Sequence, residues 1–179
     1  GVPRMYVAIK DYPGVRKYGV ASIKACISGS APLPVEVQEA FEKLTRGRLV
    51  EGYGLTETTP IIAVRRFERL ITGTVGPPLP STEVRLIDLE GNDVTHIPDA
   101  KGTLFIRGPQ VMKGYWHMPT ETANSLRQHA DGKIWLHTGD IAEMSEDGYF
   151  RIVDRQKDMI LASGGYNVYP RDIEERLYE

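Results

Sequence analysis

The sequence has little of the material that marks several protein classes. It has 1 cysteine, Cys26, in 179 residues, which excludes an internal disulfide and favours a reducing compartment. No apolar run approaches the roughly 20 residues of a transmembrane helix, and residues 1–20 lack the basic, apolar and small-residue order of a secretory signal. We therefore expect a cytoplasmic protein without a transmembrane segment, free or peripherally attached to a membrane.

Neither sign of charge dominates the chain. It carries 22 basic and 24 acidic side chains, and its formal net charge is −2. The two signs are interspersed, so no basic stripe indicates nucleic acid as a partner. Hydrophobic residues make up 41% and charged residues 26% of the sequence, which is typical of a globular protein. Composition does not indicate the oligomeric state.

Several common site motifs are also missing. The 4 histidines form no H-x-x-x-H pair and there is no C-x-x-C, which argues against a zinc site. Neither a G-x-x-x-x-G-K-[ST] loop nor a G-x-S-x-G elbow is present. The stretch "ITGTVGPP" looks like a phosphate loop, but Pro77 and Pro78 lack amide donors and no lysine follows.

Hydrophobic periodicity divides the chain into two textures. Up to about residue 66, the strand "SIKACIS", the loop "GSAPLP", a helix from Pro34 and a second strand predict a strand, helix, strand unit of a parallel sheet. Such sheets bind ligands beyond the carboxyl ends of their strands. From about residue 72, short alternating strands separated by turns predict a small β-barrel or meander, with one helix near Thr120–Gln128.

Two stretches carry candidate site residues. In "LVEGYGLTETTP", Gly52 and Gly54 allow a close backbone approach, Tyr53 could stack on a flat heterocycle, and Thr56 and Glu57 suit phosphate and a hard cation. The alternative interpretation is a strand, a glycine turn and a helix N-cap. In "WLHTGD", the carboxylate at residue 140 could hold a ribose diol, or it could be an ordinary turn residue.

Four stretches in one order resemble the core motifs of the adenylate-forming ligases, the superfamily of acyl-CoA synthetases, luciferases and peptide-synthetase adenylation domains. They are "SGSAPLP", "EGYGLTE", "WLHTGD" and "GYFRIVDRQKDMILASGGYNVYPRDIE". The stretches "KGTLFIRGPQVMKGYW" and "GTVGPPLPSTEVRLID" match strands between them, so the resemblance spans essentially the whole chain. Three pieces, "SGSAPLP", "DMILASG" and "YNVYP", are most similar to medium- to long-chain fatty acyl-CoA synthetases.

The resemblance implies an enzyme that joins a fatty acid to ATP as an acyl-adenylate, releases pyrophosphate, and passes the acyl group to coenzyme A. It implies an adenine pocket along Gly29, Ser30, Ala31 and Pro32, and a ring that stacks on the base, Tyr53, between Gly52 and Gly54. It also implies that Thr56 binds the α-phosphate, that Glu57 binds Mg²⁺, and that Asp140 with Arg155 binds the ribose. Ile152 would pack beside the nucleoside, Lys157 would be the hinge, and Gly164 or Gly165 would border the pantetheine channel.

The resemblance also implies an architecture of mixed α+β class. Residues 1–68 would end a doubly wound α/β subdomain, 69–153 would form a β-barrel, 154–158 a hinge, and 159–179 the first hairpin of a mobile C-terminal α+β domain. The family's phosphate loop would precede this segment and its adenylation lysine would follow it, so we interpret the chain as an internal fragment, inactive alone. Two alternatives stay open: an adenylate-forming ligase for acetate, an aromatic acid or an amino acid, and a non-catalytic AMP-binding module.

Overall fold

The computed structural model describes residues 1–71, 73–162, 167–170, 173 and 177. The chain divides into two compact units, which comprise Gly1–Leu79 (unit 1) and Pro80–Glu179 (unit 2). The finer division expected from the sequence, with a boundary at residue 68 and a hinge at 154–158, stays a prediction. Within the part of the chain that the structure describes, no helix combines the length and the apolar character needed to cross a membrane.

Unit 1 has helices packed on a three-stranded sheet. Its elements are α1 Pro3–Lys10, β1 Ala25–Ser28, α2 Val35–Thr45, β2 Arg48–Tyr53 and β3 Ala63–Val64. Strand β2 lies in the middle, parallel to β1 and antiparallel to β3. This arrangement confirms the strand, helix, strand unit expected from the apolar periodicity. Helix α1 carries no strong sequence signal and was not expected.

Helix α2 packs against the sheet through one apolar face, because its apolar residues recur at the helical period. Phe41 is 1% exposed and meets the ring of Tyr6 edge to face, with ring centroids 4.9 Å apart. The helix ends where Arg46 adopts a left-handed φ of 64°. At Gly47, which follows, a Cβ would lie 2.5 Å from the carbonyl oxygen of Ile23. The tight turn brings the chain back into β2, alongside β1.

Unit 2 is built on a five-stranded antiparallel sheet. Its elements are β4 Glu83–Ile87, β5 Lys101–Arg107, α3 Pro119–Ser125, β6 Leu126–Gln128, β7 Ile134–Met144, β8 Phe150–Arg155, β9 Ile160–Leu161 and β10 Asn167–Val168. The strand order is β4, β5, β7, β6, and β8 also pairs with β7. Strand β7 is long enough to pair with β6 near its start and with β8 near its end. Strands β9 and β10 form a separate antiparallel pair.

The mixed α and β class predicted from the sequence is confirmed. In the described part of unit 2 four strands form an open path, β8 pairs with β7 outside that path, and the sheet does not close into the expected barrel. The helix expected near Thr120–Gln128 ends earlier, at Ser125, and the three residues that follow form β6. They leave the helix because pairing with β7 satisfies their backbone groups, which local propensity cannot anticipate.

Candidate functional site

The carboxyl ends of β1 and β2 bring the two glycine loops of unit 1 together. A Cβ added to Gly29 would lie 3.4 Å from the carbonyl oxygen of Gly52. Ser30 then turns into the left-handed region with a φ of 68°. Together with Ala31 and Pro32 it lies exposed. The first loop therefore presents main chain beside the second, as expected at the carboxyl edge of a parallel sheet.

The stretch after β2 folds so tightly that glycine is required. A Cβ on Gly54 would lie 1.6 Å from the carbonyl oxygen of Pro60, which is backbone and cannot give way. The chain then makes a 3₁₀ turn over Thr56–Thr58, with Thr56 exposed and Glu57 half-buried. Tyr53, at the end of β2, is also half-buried. Four residues named as candidates thus share one compact segment.

Thr58 organises this turn, and sequence reasoning did not single it out. Its side chain is fully buried. Its hydroxyl oxygen accepts the amide hydrogen of Leu55 at 3.0 Å and lies 2.9 Å from the Leu55 carbonyl oxygen and 3.2 Å from that of Pro60. A run of hydroxyl residues after two glycines indicates such a turn, but the letters do not show which threonine is buried.

A buried ion pair joins Glu51, the residue directly before Gly52, to Arg65, the residue directly after β3. Arg65 Nη2 donates to Glu51 Oε2 at 2.6 Å, and the two residues are 5% and 8% exposed. Burial lowers the pKa of the Arg65 guanidinium, and the charge of Glu51 opposes that shift. The same guanidinium donates through Nε to the carbonyl oxygen of Thr74. This pair was not among the sequence-based candidates.

In unit 2 the structure joins Asp140 to Arg155 across neighbouring strands. The two residues are opposite each other in the β7–β8 register. Arg155 Nε lies 2.9 Å from Asp140 Oδ1, and the Asp140 side chain is 3% exposed against 53% for Arg155. An exposed arginine therefore bonds a carboxylate that is almost fully buried.

The backbone before Asp140 sets the direction of its side chain. Gly139 has a φ of 74°, and its carbonyl oxygen accepts the amide hydrogen of Gln156 at 2.8 Å. The Asp140 amide donates to Thr138 Oγ1 at 3.1 Å, and that hydroxyl donates to the Leu104 carbonyl oxygen at 2.8 Å. The motif "HTGD" is thus an irregularity within the long strand β7. The hydroxyl of Thr138, the positive φ of Gly139 and the amide of Asp140 each contribute to it.

The remaining candidates are placed as follows. Ile152 is half-buried on β8, opposite Ala142. Lys157 is exposed in the turn after β8, where the Arg155 carbonyl oxygen accepts the amide hydrogen of residue 158 at 3.0 Å. Gly164 and Gly165 lie outside the described residues. No described group of three or more His, Cys, Asp and Glu side chains forms a metal cage.

Two histidines that lack metal-motif spacing nevertheless meet. His129 Nε2 lies 2.9 Å from His137 Nε2. His137 is on β7, three residues before Asp140. The ring of Phe105 packs edge-on against His137, with centroids 4.0 Å apart. Burial, then the charges of Arg127 and His129, lower the pKa of His137 to about 4. His137 is therefore neutral near pH 7.

Comparison with known families decides what kind of protein contains these two groups of residues. The AMP-binding enzyme family matches residues 1–116. The chain belongs to that family. The match covers all of unit 1, including both glycine loops and the 3₁₀ turn, and the beginning of unit 2.

The chain is also similar to named members with related activities. It is 48% identical over 180 residues to a long-chain-fatty-acid–CoA ligase of Bacillus subtilis strain 168, a match that covers 100% of this chain and 31% of that protein. It is 43% identical to a feruloyl-CoA synthase of Amycolatopsis, covering 99% of this chain and 35% of that protein. The chain therefore spans about a third of the length of these relatives.

A solved structure confirms the fold. The crystal structure of ATP-bound MatB from Rhodopseudomonas palustris matches with a TM-score of 0.79 and 33% sequence identity, covering 98% of this chain and 34% of that one. At this identity the likeness extends beyond topology to the sequence itself. Membership of an AMP-binding family and likeness to an ATP-bound protein together support ATP or AMP as a ligand of the family to which the chain belongs.

Proposed function

We propose that this chain is part of an ATP-dependent fatty acyl-CoA synthetase. The observation that carries the proposal is the 48% identity over the whole chain to a long-chain-fatty-acid–CoA ligase. In the proposed reaction a fatty-acid carboxylate attacks the α-phosphate of ATP, and pyrophosphate leaves as the acyl-adenylate forms. The thiol of coenzyme A then attacks the acyl carbon, and AMP leaves as the thioester forms.

Unit 1 would contribute contacts to adenine and phosphate. The main chain from half-buried Gly29 to exposed Pro32 is proposed to read the edge of the base, and the half-buried ring of Tyr53 to stack on its face. Thr56 would donate its hydroxyl hydrogen to an α-phosphate oxygen. Since Thr56 is exposed on a turn held from beneath by Thr58, its hydroxyl can reach a ligand without disturbing the fold.

Glu57 is the proposed protein ligand of Mg²⁺. Magnesium is commonly held by one or two carboxylates together with substrate phosphates and water, so a complete protein cage is not required. A half-buried carboxylate one residue after the proposed phosphate ligand fits that pattern. When bound, Mg²⁺ would neutralise charge on the phosphate oxygens. Glu57 itself would orient the ion relative to Thr56.

Unit 2 would contribute the ribose contact and the hinge. The buried carboxylate of Asp140, already bonded to Arg155 at 2.9 Å, can accept hydrogen bonds from vicinal hydroxyls that approach alongside the arginine. Ile152 would pack beside the nucleoside. Lys157 would serve as the hinge, because it lies exposed in a short turn between two strands. Gly164 or Gly165 would border the channel for coenzyme A.

The full-length protein is also proposed to be cytoplasmic or peripherally attached to a membrane.

A second candidate function is activation of an aromatic acid. The observation that favours it is the 43% identity to a feruloyl-CoA synthase over 99% of this chain. Both candidates use the same nucleotide residues, so those residues cannot separate them. A ligase for acetate or an amino acid and a non-catalytic AMP-binding module are further alternatives without a supporting observation of their own.

Pyrophosphate exchange by the full-length protein tests the proposal. Radiolabelled pyrophosphate should enter ATP in the presence of fatty acids of medium to long chain, and much less with ferulate, acetate or amino acids. Exchange strongest with ferulate would favour the second candidate. AMP binding without exchange for any acid in the panel would contradict an enzymatic role. A mixture of ATP and pyrophosphate without acid provides the background rate.

A further inference from the structure

Arg65 connects β3 to three other parts of unit 1. Its guanidinium bonds Glu51 on β2 at 2.6 Å, the carbonyl oxygen of Thr74 in the following loop, and Gln38 Oε1 on α2 at 3.4 Å. Its amide also donates to the Glu51 carbonyl oxygen at 3.0 Å. One side chain, in the residue directly after β3, therefore bonds strand β2, helix α2 and the loop that contains Thr74.

The ladder between β2 and β3 needs such a connection. It contains two residue pairs, Gly52 with Val64 and Tyr53 with Ala63. So short a ladder specifies its register weakly, and a slip of one residue would turn each side chain of β3 to the other face relative to β2. The loop from Gly54 to Pro60 is closed by this ladder, so its shape depends on the register.

A buried ion pair is poorly suited to a purely stabilising role. Desolvating two charges offsets most of their attraction, and apolar replacements of similar volume are often as stable. The buried pair does distinguish one strand register from others, because any slip separates Glu51 from Arg65 and leaves both charges unpaired. The guanidinium of Arg65 is bonded to Glu51, Gln38 and the Thr74 carbonyl oxygen, so the pair is engaged with other parts of unit 1.

We propose that the Glu51–Arg65 ion pair is a register lock that sets β3 against β2 and thereby positions the segment Tyr53–Glu57 for the nucleotide. Both are positioning residues and do not touch the substrate. The inference deepens the proposed function and rests on it. It assigns to Arg65, which no candidate motif includes, control over the geometry of three residues, Tyr53, Thr56 and Glu57, that contact the ligand or its metal ion in that proposal.

The test replaces the pair with apolar residues of similar size, Glu51→Leu with Arg65→Met, in the full-length protein. The melting temperature should change little. Affinity for AMP should fall by about tenfold or more, the equivalent of losing one stacked base. Hydrogen exchange of the amides between residues 61 and 66 should accelerate, because the amides of Ile62 and Arg65 donate across this ladder. Normal affinity and normal exchange would overturn the lock.

A matched control exists in unit 2. Glu143 and Arg151 also form a cross-strand ion pair, with Arg151 Nε 2.8 Å from Glu143 Oε1, but on strands paired at several further positions. The double change Glu143→Leu with Arg151→Met should leave AMP affinity unchanged. An equal loss of affinity in both double variants would overturn the proposal, since the effect would then not be specific to β3.

Two further outcomes keep the test decisive. If the apolar pair fails to fold, Arg65→Lys retains the charge but cannot reach all three partners, and it should weaken AMP binding several-fold; unchanged binding and exchange overturn the lock. If the unaltered protein does not bind AMP, the proposed function fails. Exchange at residues 61–66 in the variants then decides the register claim independently. A lower melting temperature with unchanged AMP affinity would assign the pair a structural role.

Discussion

The two units hold their candidate residues by different means. In unit 1 these residues follow the ends of short strands, and their positions depend on close backbone contacts and buried polar side chains. In unit 2, Asp140 and Arg155 face each other within a ladder of at least five pairs between β7 and β8. The backbone there is held by the repeated hydrogen bonds of the ladder, so the properties of the candidate site depend on the side chains of Asp140 and Arg155.

This difference predicts different sensitivities. A Cβ added to a loop glycine such as Gly54 should destabilise unit 1, because the loop there lies within contact distance of other main-chain atoms. Unit 2 should tolerate changes of backbone conformation better and respond mainly to changes of charge. Both expectations apply to the full-length protein.

The largest effect is expected from Gly54→Ala. A Cβ there would lie 1.6 Å from the Pro60 carbonyl oxygen, so the loop must move, at a cost of about 3 kcal/mol or more in the free energy of unfolding. The matched change in unit 2 is Gly139→Ala, where nothing lies within 4 Å and only the φ of 74° opposes a side chain. It should cost about 1–2 kcal/mol. Urea unfolding measures both, and equal losses would contradict the contrast.

Asp140→Ala should weaken ATP use without unfolding unit 2. A charged acceptor of ribose hydrogen bonds contributes about 1.5–3 kcal/mol, so KM for ATP should rise by about one to two powers of ten. Arg155, 53% exposed, stays solvated when its partner is removed. Carboxylate affinity should change less. Asp154→Ala on the neighbouring strand β8 serves as the control, and an unchanged KM for ATP after Asp140→Ala would refute the ribose assignment.

Lys157→Pro tests the hinge. Proline restricts φ and disfavours a helical conformation at the preceding residue, so it should hinder rearrangement of the turn after β8. Acyl-adenylate formation, measured as pyrophosphate exchange, should persist, while thioester formation should fall by about tenfold or more if turning is needed for the second step. Lys157→Ala should retain both. Parallel loss of both half-reactions with a lower melting temperature would make residue 157 structural.

The smallest effect concerns acid stability in unit 2. The pKa of His137 is lowered by burial from 6.5 to about 4, so between these values the unfolded chain binds more protons than the native chain. The resulting stability is present above pH 6.5 and is lost as pH falls toward 4. After allowance for solvent screening it amounts to about 1 kcal/mol.

Melting temperatures measured between pH 7 and pH 4 check this expectation. His137→Gln should flatten the acid side of the profile, whereas His117→Gln, at an exposed position, should not. A profile for His137→Gln that matches the unaltered protein would show that burial of His137 does not couple stability to pH.

The mixed α and β class, the parallel pair in unit 1 and the family could be predicted from the sequence, because apolar periodicity and linear motifs are local properties of the chain. The sequence identified Gly54 and Asp140 for the same reason. It could not locate Thr58 or Arg65. The partners of Thr58 are nearby in sequence but its burial cannot be read from the letters, and the partners of Arg65 are distant in sequence.

Only the tertiary structure decided those partnerships. Arg65 meets Glu51 14 residues away and Gln38 27 residues away, and nothing in the local pattern "VRRFER" separates a buried arginine from a solvated one. The helix that ends at Ser125 gives a second example, because pairing with β7 converts the next residues to a strand. Burial and strand pairing depend on the whole fold, so they override the preferences that a short stretch of sequence expresses.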